Sequence, residues 1–291
     1  MAGGSRGRLS IHPAAAADGG ADGGRHVQLD RAENRGGSVR GVRAPSEAEE
    51  GPHRAAGAVE RAAGVKVDLY VKIDLLVLAL PLALSFDRKV AFWRKWPQVF
   101  AAIAAVVVVF GAWDAWMAAR GIWSFNPAHA GEARFLHLPP GEWLFFVCVP
   151  YACLFVLECV RAYFPDRALR IPSGAFYALA AFFGVLAILY RELGYTATVF
   201  LACGLVVAAL QAFLPATVRS RNFWIGLGLT YLPFLIANGF LTGIPIVLYD
   251  DAENLAVRVG TIPLEDFFFS FAMLALAALV HDVVGRRRGA A

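Results

Sequence analysis

From Leu69 onward the chain is divided into seven apolar runs, at about 69–86, 98–117, 142–163, 174–190, 196–215, 223–241 and 264–282. Each is roughly 17–22 residues, which at 1.5 Å per residue matches a hydrocarbon core of ~30 Å. A mean hydropathy of +0.55, with 58% hydrophobic residues, lies outside the range of a soluble domain. The expected fold class is an all-α integral membrane protein with seven transmembrane helices.

Charge sits between the runs, so the net +4 orients the chain rather than marking a nucleic-acid partner. Arg88, Lys89, Arg94 and Lys95 follow the first run, and Arg161, Arg167 and Arg170 the third. Arg219 and Arg221 follow the fifth, and Arg286 to Arg288 the seventh. The alternate connections are poorer in basic residues. The positive-inside rule then places the C-terminus in the cytoplasm and the loops 118–141 and 242–263 together on the outer face.

Residues 1–64 are rich in Ala, Gly and Arg, with nine arginines against eight acids. They read as a disordered leader, with too little apolar surface to offset the entropy of folding. The abrupt onset of the membrane region at Val65 is what a mis-called start codon would leave. Cys148, Cys153, Cys159 and Cys203 all fall inside apolar runs without metal-ligand spacing, so they read as small core residues.

The chemistry is concentrated at Pro263-Leu264-Glu265-Asp266-Phe267, where two adjacent carboxylates open the last apolar run. Pro in the first turn and acids at the positive end of the helix dipole are ordinary capping chemistry. A second copy argues for more. Pro140-Gly141-Glu142-Trp143 also opens an apolar run, after a polar loop of similar length. The pattern implies two parallel three-helix repeats, 65–165 and 196–285, joined by a linking span within 166–195 and followed by a basic cytoplasmic tail, 286–291.

Acids at such a position are costly toward lipid and should face the bundle interior. Glu265 and Asp266 are candidates to donate a proton and to stabilise a cation, with Glu142 their counterpart. Aligned on Pro140 and Pro263, Trp143 stands where the last run has Asp266. Asp114 and Asn238, polar residues near the outer ends of the second and sixth runs, are candidate binding residues, as is Arg258, within reach of the acids. Twenty-two phenylalanines, with Trp113, Trp116, Trp123 and Trp143 near the outer face, offer ring faces that stabilise cations. His129 and His137 lack metal-pair spacing, and no metal site is expected. Glu158, about 24 Å along its helix from Glu142, falls outside the site.

These residues resemble the lycopene cyclase domain family, as a fusion in one chain of the two small subunits of heterodimeric bacterial cyclases. The matching stretches are Ser85 to Val90, Trp113-Asp114, Gly121 to Asn126, Pro140 with Glu142 to Phe146, Asn238-Gly239, Leu241 to Gly243, and Arg258 to Phe267. The resemblance implies a redox-neutral cyclisation of lycopene ends to β-ionone rings in a bacterial inner membrane, with no cofactor. It implies Glu265, Asp266 and Glu142 as catalytic residues, and Asp114, Asn238, Arg258, Trp123 and Phe267 around the substrate. The partners it implies are a carotenoid substrate, the lipid bilayer, and a second copy of the chain or other carotenoid-pathway enzymes. A small-solute transporter with parallel three-helix repeats is the competing reading. A retinal photoreceptor is set aside, because the only lysines are at 66, 72, 89 and 95.

Overall fold

The computed structural model describes residues 68–289, so the expected leader at 1–64 lies outside the described residues. Seven long helices follow one another there. They are α1 (Leu69–Leu84), α2 (Phe92–Ala119), α3 (Pro140–Tyr163), α4 (Ser173–Leu189), α5 (Gly194–Phe213), α6 (Arg221–Gly243) and α7 (Leu264–Gly289). Five, α2, α3, α5, α6 and α7, are long and apolar enough to cross a membrane. At 16 and 17 residues, α1 and α4 are shorter. The expectation of seven spans is thus met for five by length and composition.

Local chemistry accounts for the boundaries. Pro139-Pro140 opens α3 where a missing N–H costs nothing, and Ser220 caps α6 by accepting the Phe223 N–H at 3.0 Å. α2 is not a regular helix. It opens with a 3₁₀ turn and carries a π turn at Val107–Gly111, directly before the segment holding Asp114. α6 runs unbroken but contains Pro233, which cannot donate a backbone hydrogen bond, five residues before Asn238. α2 and α6 therefore each carry a local change in the backbone hydrogen-bond ladder shortly before their polar residue.

α7 is the central post. It packs closely on α2, α3 and α5, and its Ala272, Ala275, Ala277 and Ala278 are buried. Small residues let backbones approach where lipid supplies no hydrophobic drive between helices. Around them Phe146, Val149, Leu154, Val207, Leu210 and Met273 form the main core. The four cysteines are free, three of them buried.

The two long loops meet as a two-stranded antiparallel ribbon. β1 (Trp123–Phe125) pairs with β2 (Val247–Tyr249) in the register Trp123↔Tyr249, Ser124↔Leu248, Phe125↔Val247. Beyond the ribbon, Asn126 N–H donates to the Ile246 carbonyl and Asp250 N–H to the Ile122 carbonyl, both at 2.9 Å. Ser124 and Leu248 lie 124 positions apart, and the same offset carries Trp123 onto Val247 and Phe125 onto Tyr249. An approximate two-fold axis therefore passes through the ribbon centre. A second ribbon, β3 (Arg258–Val259) with β4 (Ile262–Pro263), leads into α7.

At the other end of the bundle the basic connections gather. Arg161 makes two 2.7 Å bonds to the Asp282 carboxylate and one of 2.8 Å to Glu158. Lys95 also pairs with Glu158, and Thr217 donates to Asp282 at 3.0 Å. Glu158 therefore belongs to this network, as its distance along the helix implied.

Candidate functional site

α1, α3, α5 and α7 start at one end of the bundle and α2 and α6 finish there, around a cavity of about 40 Å³. This is a slot no wider than a few water molecules. Its polar wall is Tyr70, Asp114, Glu142, Tyr195, Asn238, Tyr249 and Asp266; the rest is aromatic and aliphatic, with Trp123, Phe145, Phe234 and Phe269 the bulkiest. Among the described residues, no lysine, arginine or histidine lines it. Three carboxyl groups thus share an apolar enclosure without a cation.

Each half contributes one acid in the first turn of its third helix, and each acid is held by the second residue of its half's first helix. Tyr70 donates to Glu142 Oε2 at 2.7 Å; Tyr195 donates to Asp266 Oδ1 at 2.6 Å. Asp266 Oδ2 accepts two further bonds, from Asn238 at 2.7 Å and Tyr249 at 2.9 Å. The buried Asp114 carboxyl shares the cavity wall with Glu142 and Trp123. Burial, followed by the Asp266 carboxylate, pushes the Tyr249 phenol well above its ordinary pKa, which keeps it a neutral donor.

Aromatic faces close the site. Trp113 stacks on Phe269 with centroids 5.2 Å apart and meets Trp123 edge-on at 6.2 Å. Tyr195 stacks on Tyr249 at 6.0 Å, and Trp123 meets Tyr195 edge-on at 5.1 Å. A cation formed among these rings would face their negative quadrupoles.

The repeat register differs from the one read on Pro140 and Pro263. In the structure Glu142 corresponds to Asp266 and Asp114 to Asn238, each pair 124 positions apart. Pro139 is then the counterpart of Pro263, and Trp143 that of Phe267. The first half keeps its cavity acid; what it lacks is a counterpart of Glu265, where it has Gly141. The reason is steric. A Cβ at Gly141 would lie 2.5 Å from the Tyr70 ring, so no side chain fits while Tyr70 reaches Glu142. Gly141→Ala is expected to push Tyr70 off Glu142 and cost about 1–3 kcal/mol as an overpacked contact. Thermal unfolding in detergent measures this, and an unchanged midpoint would show that Tyr70 yields freely.

Of the expected site residues, Asp266, Glu142, Asp114, Asn238 and Trp123 come together on the cavity. Glu265, Arg258 and Phe267 do not line it. Glu265 is fully buried behind the wall, where its Oε1 accepts Thr196 Oγ1 at 2.6 Å and the Leu255 N–H at 2.8 Å. Arg258 pairs with Asp251 and lies over the Tyr249 ring. Phe267 stacks on Tyr231 of α6. Sequence reasoning missed the tyrosines at 70, 195 and 249. The signal that could have found two of them is a tyrosine near the start of the first helix in each half.

A family model described as lycopene cyclase matches the chain twice, over residues 68–160 and 192–284. No curated protein and no solved structure matches it. The two matched segments are displaced by the same 124 positions that carry Glu142 onto Asp266, and α4 lies between them. The ribbon, the paired tyrosine–carboxyl contacts and the double match all describe one duplicated unit covering most of the chain, and the chain belongs to the lycopene cyclase family.

Proposed function

We propose that the protein is a membrane isomerase that cyclises the acyclic ends of lycopene to β-ionone rings by proton-initiated chemistry. The observation that carries this reading is the pairing of Glu142 and Asp266, from equivalent helix starts, across one aromatic cavity without a cation. Glu142, held by Tyr70 and sharing the cavity with the Asp114 carboxyl, is assigned the proton donor. Adding its proton to the terminal double bond leaves a tertiary carbocation. A neighbouring double bond attacks that centre, one carbon–carbon bond forms, and the six-membered ring closes. Asp266, with three donors arranged around its carboxylate, faces the cation and takes the proton lost from the adjacent carbon. One proton enters and one leaves, so no redox partner is consumed.

In this reading α1 and α4 also cross the membrane. α1 begins beside the cavity at Tyr70 and packs along α3, which supports a crossing although 16 residues rise only about 24 Å. The repeats are 65–165 and 196–285, with α4 the linking span. Lys95, Arg161 and Arg286 gather at the end opposite the cavity. That supports a cytoplasmic location for this end and a non-cytoplasmic one for the site, in a bacterial inner membrane.

Expression in lycopene-making cells, followed by pigment extraction, tests the activity. Cyclic carotenoid is the expected product; lycopene alone, at normal protein levels, would overturn the reading. A second comparison separates the two adjacent acids of α7. Glu265→Gln keeps a carbonyl oxygen for Thr196 and Leu255, and its amide falls where Glu265 Oε2 has no partner among the described residues. It is expected to retain most ring formation. A loss matching that of Asp266→Asn would return the proton-handling role to Glu265.

A further inference from the structure

The cavity at the acids does not end there. A second hollow, lined by Val77, Val149, Pro233 and Ala237 among others, shares Phe145, Phe234 and Asn238 with it. A third, lined by Leu157, Phe223, Leu227, Leu274 and Ala278, shares Cys153 with the second. The three are strung along the seam between α3, α6 and α7. α3 presents Phe145, Val149, Cys153 and Leu157 to this seam, a spacing of four that keeps one helix face in line. From Glu142 to Leu157 that face runs roughly 22 Å, most of a ~30 Å hydrocarbon core.

We propose that this seam is the channel that holds the polyene body of the substrate, stretched along the membrane normal with one end at Glu142 and Asp266. The proposal rests on the cyclase reading and adds where the rest of the molecule lies and which residues measure its length. The chemistry of the walls names the occupant. Among the described residues, no charged side chain lines the two lower hollows. The Thr230 hydroxyl there is turned onto the Leu227 carbonyl at 2.6 Å. Apart from that hydroxyl and, in the middle hollow, Ser270 and the shared Asn238, the walls are apolar, which suits a long, uncharged hydrocarbon better than a polar solute.

The far end is closed. Phe223 is fully buried there, and a Cβ at Gly226 would meet the Leu157 side chain at 2.7 Å. In the closed form the two lower hollows are narrow, about 30 and 10 Å³, so an occupant must part the helices. α3 also carries an internal proline, Pro150, but α6 is the least buried of the three walls and the one placed to yield. It carries Pro233, which cannot donate a backbone hydrogen bond, at the middle hollow. Its outward side chains Leu229, Leu232 and Ile236 face away from the protein. Substrate dissolved in the bilayer would thus enter sideways past α6.

Cys153 and Ala278 are the length-measuring positions, at the middle and far parts of the seam and away from the acids. The test uses the full chain, purified and returned to liposomes. Its two substrates are lycopene and a polyene cut to about half its length that keeps one acyclic end. Wild type is expected to cyclise both. Cys153→Phe is expected to lose lycopene cyclisation at least tenfold while holding the shortened substrate within twofold. Ala278→Leu, a smaller change, is expected to discriminate in the same direction and decides the matter if Cys153→Phe does not fold. Folded variants that lose both substrates equally, or neither, would overturn the channel. A wild type that cyclises neither substrate would instead overturn the cyclase reading on which the channel rests.

Discussion

Asp266→Asn and Glu142→Gln are each expected to lower ring formation by about 10²–10⁴-fold, the usual loss when one positioned acid or base is removed. Both substitutions keep shape. The amide oxygen of the Asp266→Asn variant can still accept from Tyr195, and that of the Glu142→Gln variant can still accept from Tyr70, so the helix starts should survive. What each loses is distinct. Glu142→Gln has no proton to deliver and leaves Asp114 facing an amide. Asp266→Asn cannot face a carbocation as an anion or accept its proton. If the two act as one unit, the double variant should lose little more than either alone, because the effects of residues that work together are not additive. The measurement is the ratio of cyclic to acyclic carotenoid in cells with matched protein levels. Near-wild-type rings from either single variant would remove that residue from the proton path.

The comparison of these two acids with Glu265 shows what a sequence can and cannot convey here. Membrane character, the duplicated acidic helix starts and the polar residues Asp114 and Asn238 were all legible, because each is a departure from an apolar background. The register of the duplication was not. Pro140 and Pro263 invite alignment, yet the structure aligns Pro139 with Pro263, since Gly141 must make room for Tyr70. Geometry also bears on Glu265 and Asp266. Adjacent helical residues point about 100° apart, so both could not face the same slot. Asp266 faces it, and Glu265 turns to the Thr196 hydroxyl and the Leu255 N–H.

Other parts depend on long-range pairing that no local pattern encodes. Tyr249 reaches Asp266 only because β2 pairs with β1. Arg258 was within sequence reach of the acids, but the loop geometry gives it Asp251 as partner. The π turn at Val107–Gly111 precedes Asp114 and has no signature beyond an apolar run. Phe267 was one of many phenylalanines, and only the packing of α6 on α7 decides that it stacks on Tyr231.

The opposite end of the bundle provides the largest expected effect on stability. Arg161→Ala should destabilise the fold by roughly 3 kcal/mol, the low end of the range for a broken buried ion pair. The low end applies because the Arg161 side chain is 26% exposed, whereas Glu158 is 2% and Asp282 12% exposed. Removing the guanidinium leaves buried Glu158 and half-buried Asp282 on neighbouring helices, with Lys95 on Glu158, and Thr217 and the His281 ring on Asp282. Arg161→Lys keeps the charge but not the fork that grips both Asp282 oxygens, so it should fall between wild type and the alanine variant. For a domain of this size, 1 kcal/mol corresponds to about 2–4 °C, which places the alanine variant roughly 6–12 °C below wild type in detergent. Glu158 lies about 24 Å along α3 from Glu142. Protein that does fold should therefore cyclise at the wild-type rate per molecule, unlike the Glu142 and Asp266 variants. An Arg161→Ala midpoint within about 2 °C of wild type, less than the shift expected for even 1 kcal/mol, would show that the network contributes nothing to holding α3 against α7.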